Sequence, residues 1–255
     1  MQPRPAFAGP PSVPALPVLA RLALLLDLDG TLLDLRPSPS EVRTAPGLTD
    51  TLGRLVVRLG GALAVVSGRP VEEVAALLPG LPIAIAGEHG AAIRRGPGLP
   101  LERAKLPAVP KRWREAARRL AARHPGVLLE EKAQGFVLHY RKAEASAPAL
   151  RAAIEPLIAE AAASFVLVPA VMAWEVRPIG VDKGTAVRAI LARAPYAGRV
   201  PVYIGDDVTD DDAIEAAREL GGVGLKVGPN FGDAAGVRGW LNTLAGWDGN
   251  ITGGN

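Results

Sequence analysis

Apolar positions along the chain fall into two alternating patterns. Short unbroken runs occur at Leu22 to Leu26, in ALAVVSGR (62–69), in IAIAGEHGAAI (83–93), in PVYIG (201–205) and in VGLKVG (223–228). Such runs are too short for confident helices and predict strands buried on both faces. Between them the spacing turns helical: Leu48, Leu52, Leu55, Val56 and Leu59 share one face of 47–60, which stops at a Gly pair. Pro70 opens a short helix, PVEEVAALL, and further helices are expected over 181–193 and after DDVTDDD (206–212). Strand and helix in alternation predict an α/β fold with a Rossmann-like, doubly wound parallel sheet.

The rhythm breaks after the third strand. Residues 94–109, rich in Arg, Gly and Pro, read as a linker. A basic helix (111–123), strands at 127–131 and 135–141, an Ala-rich helix (145–163) and strands at 165–168 and 172–176 follow. Helices laid on an antiparallel sheet make a different architecture, so an inserted α/β domain is expected over 107–178. The first domain then comprises 21–106 and 179–247. A Pro-rich leader, expected to be disordered, occupies 1–20, and 248–255 form a flexible tail. Leu32 to Pro46 is a connection long enough to serve as a flap.

Composition narrows the function. Hydrophobic residues make up 49% of the 255, enough for a sizeable core, while aromatics at 4% argue against nucleic-acid stacking surfaces. A net charge of +3, from 29 basic against 26 acidic residues, suits an anionic substrate better than a DNA-binding face. The absence of cysteine excludes disulfides, thiolate metal sites and Cys nucleophiles. No stretch approaches the ~20 apolar residues of a membrane span. The expectation is a cytoplasmic monomer that binds neither nucleic acid nor membrane.

Four predicted strand exits carry polar residues: Asp27 and Asp29, Ser67, Glu88 with His89, and Asp206 with Asp207. In a parallel sheet these exits line one edge, where ligands bind. Asp27 and Asp29 share a face of their strand, and Gly30 lets the chain turn behind them. Two carboxylates at about 4 Å repel by roughly 4 kcal/mol at an effective dielectric near 20, so the pair needs a counter-charge. If Asp206 and Asp207 face Asp27, a hard cation relieves the repulsion, and Mg²⁺ fits because it takes few carboxylates and accepts a phosphate oxygen. Asp210, Asp211 and Asp212 are explained by the positive end of a helix dipole, with Thr209 as cap. Lys183 at a helix opening is unfavourable by the same dipole and so points to nearby anions. Ser67 and Gly68 suit a phosphate. These parts predict phosphoryl transfer, with Asp27 as nucleophile, Asp29 as acid then base, and Lys183 with the metal stabilising the phosphoryl oxygens.

In order, Asp27-x-Asp29, Ser67, Lys183 and Gly205-Asp206-Asp207 resemble the four motifs of the haloacid-dehalogenase phosphatase superfamily over roughly residues 22–230. An insert after the third strand is similar to the subgroup with a large α/β cap. Within that subgroup VVSGR, GEHGA, EKAQGFVLHYR, WEVRPIGVDKG and GDDVTDDDA look most like the trehalose-6-phosphate phosphatases. The resemblance implies Mg²⁺ held by Asp27, the Asp29 carbonyl and Asp206, with Asp207 included in the metal set. It also implies sugar contacts from Lys132 and Glu175 in the cap and from Arg69 and His89 in the core. His139 and Tyr140 are read as packing residues. One position departs: Val171 stands where the family usually has a Lys, so Lys132 or Arg141 compensates or the preferred sugar phosphate differs. The expected activity is hydrolysis of trehalose 6-phosphate through an aspartyl-phosphate. The alternatives are another glycosyl or sugar phosphate, and a non-catalytic phosphate-binding regulatory domain.

Overall fold

The computed structural model describes residues 19–36, 41–132 and 134–246. The chain divides into two compact units, one of Met1–Arg103 with Asp182–Asn255 and one of Ala104–Val181. The chain starts in the first unit with β1 (Leu22–Leu26), α1 (Leu48–Arg58), β2 (Leu63–Val66), α2 (Val71–Leu77), β3 (Ala84–Gly87), β4 (Ala92–Arg94) and β5 (Leu101–Arg103). It then builds the second unit from α3 (Lys111–Arg123), β6 (Leu128–Lys132), β7 (Gly135–His139), α4 (Ala147–Ala159), β8 (Phe165–Ala170) and β9 (Ala173–Pro178). Its return adds α5 (Lys183–Leu191), β10 (Val200–Gly205), α6 (Asp211–Glu219), β11 (Val223–Lys226), α7 (Val227–Phe231) and α8 (Ala234–Gly246) to the first unit.

The first unit holds a seven-stranded sheet in the order β11-β10-β1-β2-β3-β4-β5. Neighbours from β11 to β3 pair in parallel, as the unbroken apolar runs require. Along β1, Leu24 and Leu26 face one core with α1 and α8, while Ala23 and Leu25 face another with α5 and α6. Burial on both faces is why the strand carries no polar alternation.

Two expectations are corrected at the sheet edge. The stretch 83–93 is not one strand: a turn at Glu88–Gly90 reverses the chain, and β4 runs back antiparallel to β3. Within the expected linker, β5 pairs antiparallel with β4. Its Glu102 and Arg103 are exposed, so no apolar run marks it; Glu102 instead pairs with Arg95 at 2.8 Å. The leader also ends earlier than expected. Leu19 is fully buried in the core, and residues 1–18 lie outside the described residues, as does the tail from 247. In the 32–46 connection, Leu32, Leu33 and Val42 are buried and Arg238 donates to the Leu32 carbonyl at 3.0 Å; 37–40 lie outside the described residues.

The second unit is a four-stranded antiparallel sheet, β6-β7-β9-β8, packed against α3 and α4 around Trp113, Phe136, Leu150, Ile154 and Phe165. Among the described residues, no helix is long and apolar enough to cross a membrane.

Candidate active site

Parallel pairing sets the exits of β10, β1, β2 and β3 side by side, and the polar residues expected there gather on that edge. Asp27 leaves β1 with its N–H on the Ile204 carbonyl of β10 (2.9 Å), and its carboxylate is buried. Thr31, from the turn beyond, donates to Asp27 Oδ2 at 3.1 Å. Lys183 Nζ donates to Asp27 Oδ1 at 2.6 Å and to Asp210 Oδ1 at 2.7 Å. The Lys sits in the first turn of α5, behind Asp182, whose side chain caps the helix by accepting from Thr185 N–H. The helix dipole opposes a cation there, and the two buried carboxylates overcome it.

Asp27, Asp206 and Asp210 bring carboxylate oxygens within 4.8 Å of one another. Lys183 compensates only part of that charge. Burial, followed by the nearby Asp210 and Asp206, pushes Asp27 up to about 8 even though Lys183 works the other way. Burial and Asp210 also raise Asp206. Lys183 itself would be lowered by burial, but Asp27 and Asp210 hold it above its ordinary value.

Asp210 already accepts from three donors: Lys183, the Tyr203 hydroxyl (2.6 Å) and the Asp207 N–H (2.9 Å). Asp206 differs, because its Oδ1 is buried without a hydrogen-bond partner. A buried carboxylate oxygen left unmatched beside two more acids, all of them hard donors, fits a divalent cation. Gly30 makes the arrangement possible. It turns with φ 79°, and a Cβ there would lie 2.1 Å from Asp206 Oδ2.

Around this centre, Ser67 is buried at the end of β2, and its Oγ accepts from the Arg69 N–H at 3.2 Å. Gly68 lies against the His89 ring, where an added Cβ would sit 2.7 Å from Nε2. Glu88 and His89 both have positive φ, 53° and 55°. Two successive non-glycine residues in the left-handed region carry strain of a kind that gathers at functional sites. Asp29 is held by Arg69 through both oxygens, Nε to Oδ2 at 2.6 Å and Nη2 to Oδ1 at 2.8 Å.

The profile described as Trehalose-phosphatase matches residues 25–234, a span that contains every group named above. The chain belongs to the trehalose-phosphatase family. It is 38% identical over 207 residues to a probable trehalose-phosphate phosphatase of Sinorhizobium fredii, covering 81% of this chain and 78% of that one. It is 34% identical over 210 residues to the trehalose-6-phosphate phosphatase of Escherichia coli, covering 82% and 78%. Its fold resembles the C-terminal domain of the C. albicans trehalose-6-phosphate phosphatase, with a TM-score of 0.75 at 18% identity over 96% of this chain and 98% of that one.

In this member of the trehalose-phosphatase family, two readings of the acidic loop are corrected. Asp210 is not a dipole-stabilised surface acid: it is fully buried on Lys183. Nor does Thr209 cap the helix. The turn Val208–Asp210 is capped by Asp207, whose Oδ1 accepts from the Val208 N–H at 2.7 Å, and α6 follows from Asp210. Asp207 therefore spends its carboxylate on the backbone and stands outside the three-acid cluster. Tyr203 and Lys226 were missed as well. Lys226 reaches the Asp207 carbonyl and Asp211 Oδ1 (2.9 Å), bracing the loop. Asp210 closes the short turn that Asp207 caps, and its Oδ2 accepts from the Asp207 N–H, which brings its carboxylate back beside Asp206.

In the second unit, Lys132 Nζ pairs with the buried Glu175 at 3.0 Å, while Arg141 is exposed just beyond β7. His139 pairs with Glu130 at 2.9 Å, and the Tyr140 ring lies 6.1 Å from Trp174. Val171, 60% exposed, stands in the two-residue turn between β8 and β9.

Proposed function

We propose that this chain is a phosphoric monoester hydrolase that releases phosphate from trehalose 6-phosphate, with Mg²⁺ as its divalent cation. The observation that carries the reading is the buried Asp27 carboxylate, gripped by Lys183 at 2.6 Å and adjoined by Asp206, in a chain of this family.

Asp27 attacks phosphorus, a P–O bond to Asp27 forms, and the bond to the sugar oxygen breaks. Asp29 serves as the acid that gives that oxygen a proton. Water then attacks the aspartyl-phosphate, its proton passes to the Asp29 carboxylate, and phosphate leaves as the Asp27–phosphorus bond breaks. Lys183 neutralises charge on the phosphoryl oxygens while Thr31 holds the other Asp27 oxygen in register. Ser67 and the Gly68 backbone bind the phosphate, since a hydroxyl retains a proton to donate while it accepts from Arg69 N–H. A divalent cation would be held by Asp27, Asp206 and, as the resemblance implies, the Asp29 carbonyl, and would supply charge neutralisation at the phosphoryl group.

The proposed sugar contacts are Lys132, Glu175 and Arg141 of the second unit and, separately, His89 of the first, as the resemblance implies. Charged and carboxylate groups of this kind match a polyol through many hydrogen bonds. The exposed Val171 in place of the usual Lys favours one second reading, a preference for another glycosyl phosphate. A single chain acting in the cytoplasm completes the proposal, since charged sugar phosphates do not cross membranes unaided.

Phosphate release from purified protein over a panel of sugar phosphates, with Mg²⁺ or with EDTA, tests it. The expected result is highest kcat/KM for trehalose 6-phosphate and loss of turnover with EDTA. Better turnover of another sugar phosphate selects the second reading, and no release from any ester defeats both.

A further inference from the structure

Arg69 carries two duties by the preceding account, a sugar contact implied by resemblance and a bidentate grip on Asp29 seen in the structure. Geometry favours the second. The Arg69 backbone is fixed on both sides: its N–H donates to Ser67 Oγ at 3.2 Å, and its carbonyl accepts from Glu88 N–H at 3.0 Å. The strand exit presses on that carbonyl so closely that a Cβ at Gly87 would stand 2.6 Å from it. From this anchored point the guanidinium reaches across to the exit of β1 and takes both Asp29 oxygens, at 2.6 and 2.8 Å. Glu73, one turn along at 3.5 Å, steadies the same guanidinium.

A carboxylate with no such partner turns freely about its last bond. A forked pair of N–H groups from a planar guanidinium fixes its plane as well as its place, which an ammonium cannot do. The fork is partly shielded, with 13% of the Arg69 side chain and 29% of the Asp29 side chain exposed. Proton transfer needs the acid within hydrogen-bond reach of the leaving oxygen, and orientation errors at that step are expensive.

We propose that Arg69 serves turnover as the positioning residue of Asp29, acting through that carboxylate and not by touching substrate. The inference rests on Asp29 being the acid and base of the proposed phosphatase. It assigns the Arg of the Ser67-Gly68-Arg69 run to the proton-transfer side of the site, and leaves the phosphate to Ser67, Gly68 and Lys183.

A double-mutant cycle tests it, with Arg69→Met, Asp29→Asn and the pair, each assayed for kcat and KM with trehalose 6-phosphate and Mg²⁺. Asp29→Asn alone is expected to lower kcat by ~10²–10⁴-fold, the usual worth of a general acid or base. Arg69→Met alone lowers kcat by ~10-fold or more with KM little changed, whereas the pair stays within ~3-fold of Asp29→Asn, because groups acting as one unit are not additive. Arg69→Lys, which keeps the charge and loses the fork, should fall near Arg69→Met and covers the case in which Met unfolds the loop; circular dichroism reports on folding. Arg69 losses that multiply with Asp29→Asn, or that appear mainly in KM, overturn the proposal and make Arg69 a substrate contact. A wild-type protein that releases no phosphate from any ester overturns the phosphatase reading itself, an outcome distinct from an additive cycle.

Discussion

Replacing Gly30 by alanine probes the site at its tightest point. Gly30 turns with φ 79°, and a Cβ there would lie 2.1 Å from Asp206 Oδ2 and 2.5 Å from its Cγ. Real Cβ contacts essentially never fall under 3.0 Å, so Asp206 has to retreat by at least 0.9 Å, the difference between 3.0 and 2.1 Å. The side chain also pays the left-handed backbone penalty, about 1–2 kcal/mol. Gly47 provides the control: its φ is 76°, and an added Cβ meets nothing within 4 Å. Gly47→Ala should therefore lose about 1–2 kcal/mol of stability and keep its activity. Gly30→Ala should lose that much and also move a cation ligand, for which a misplacement of about an ångström costs roughly 10²-fold in rate. Urea denaturation measures the first effect, and calorimetric Mg²⁺ titration with phosphate release measures the second. If Gly30→Ala matches Gly47→Ala in Mg²⁺ affinity and turnover, Asp206 does not hold the cation from this position and the reasoning fails.

Two further outcomes follow from the electrostatics of the acidic cluster. Without divalent cation, unfolding free energy should fall as pH rises from about 4 to about 8, because burial raises Asp27 from 3.8 to about 8 and the folded chain keeps a proton that the unfolded chain has released. Stabilisation by Mg²⁺ should grow over the same window; urea midpoints with and without Mg²⁺ read both, and a flat apo profile that Asp27→Asn leaves unchanged counts against the assignment. Asp207→Asn should keep turnover within about 3-fold, since Asn caps a turn as well as Asp does. Asp206→Asn should weaken Mg²⁺ by more than the roughly 10–100-fold that loss of an outer partner costs, and equal effects at the two positions would contradict the split drawn between them.

The sheet was legible because its strands are buried on both faces, so their apolar runs stand out; Leu22–Leu26 and Lys111–Arg123 begin and end where the pattern places them. The strands β4 and β5 were not. Ala92 and Ile93 of β4 are buried and run on from the apolar stretch of β3, which hides the turn between the two, and β5 is a three-residue edge strand whose exposed Glu102 and Arg103 leave no apolar signal. Helix α8 contains Gly236, Gly239 and Gly246, which weaken its local preference. It forms because Trp240, Leu241 and Leu244 bury in the core beside α1. In the site, Asp27, Lys183 and Asp206 were readable from their places at strand exits and a helix opening. Asp210 was not, because a run of acids at a helix start already has a local explanation, and only the arrival of Lys183 from 27 residues away shows another. The Asp29–Arg69 fork, spanning 40 residues, is likewise a product of strand order and not of local pattern.

All of this turns on Asp27 being the group that takes the phosphoryl. The most direct test is Asp27→Asn, an almost isosteric change that leaves Thr31 and Lys183 a partner, assayed for phosphate release from trehalose 6-phosphate with Mg²⁺. Turnover should vanish while circular dichroism and urea unfolding report a folded protein. Retention of a substantial fraction of wild-type activity would contradict the account.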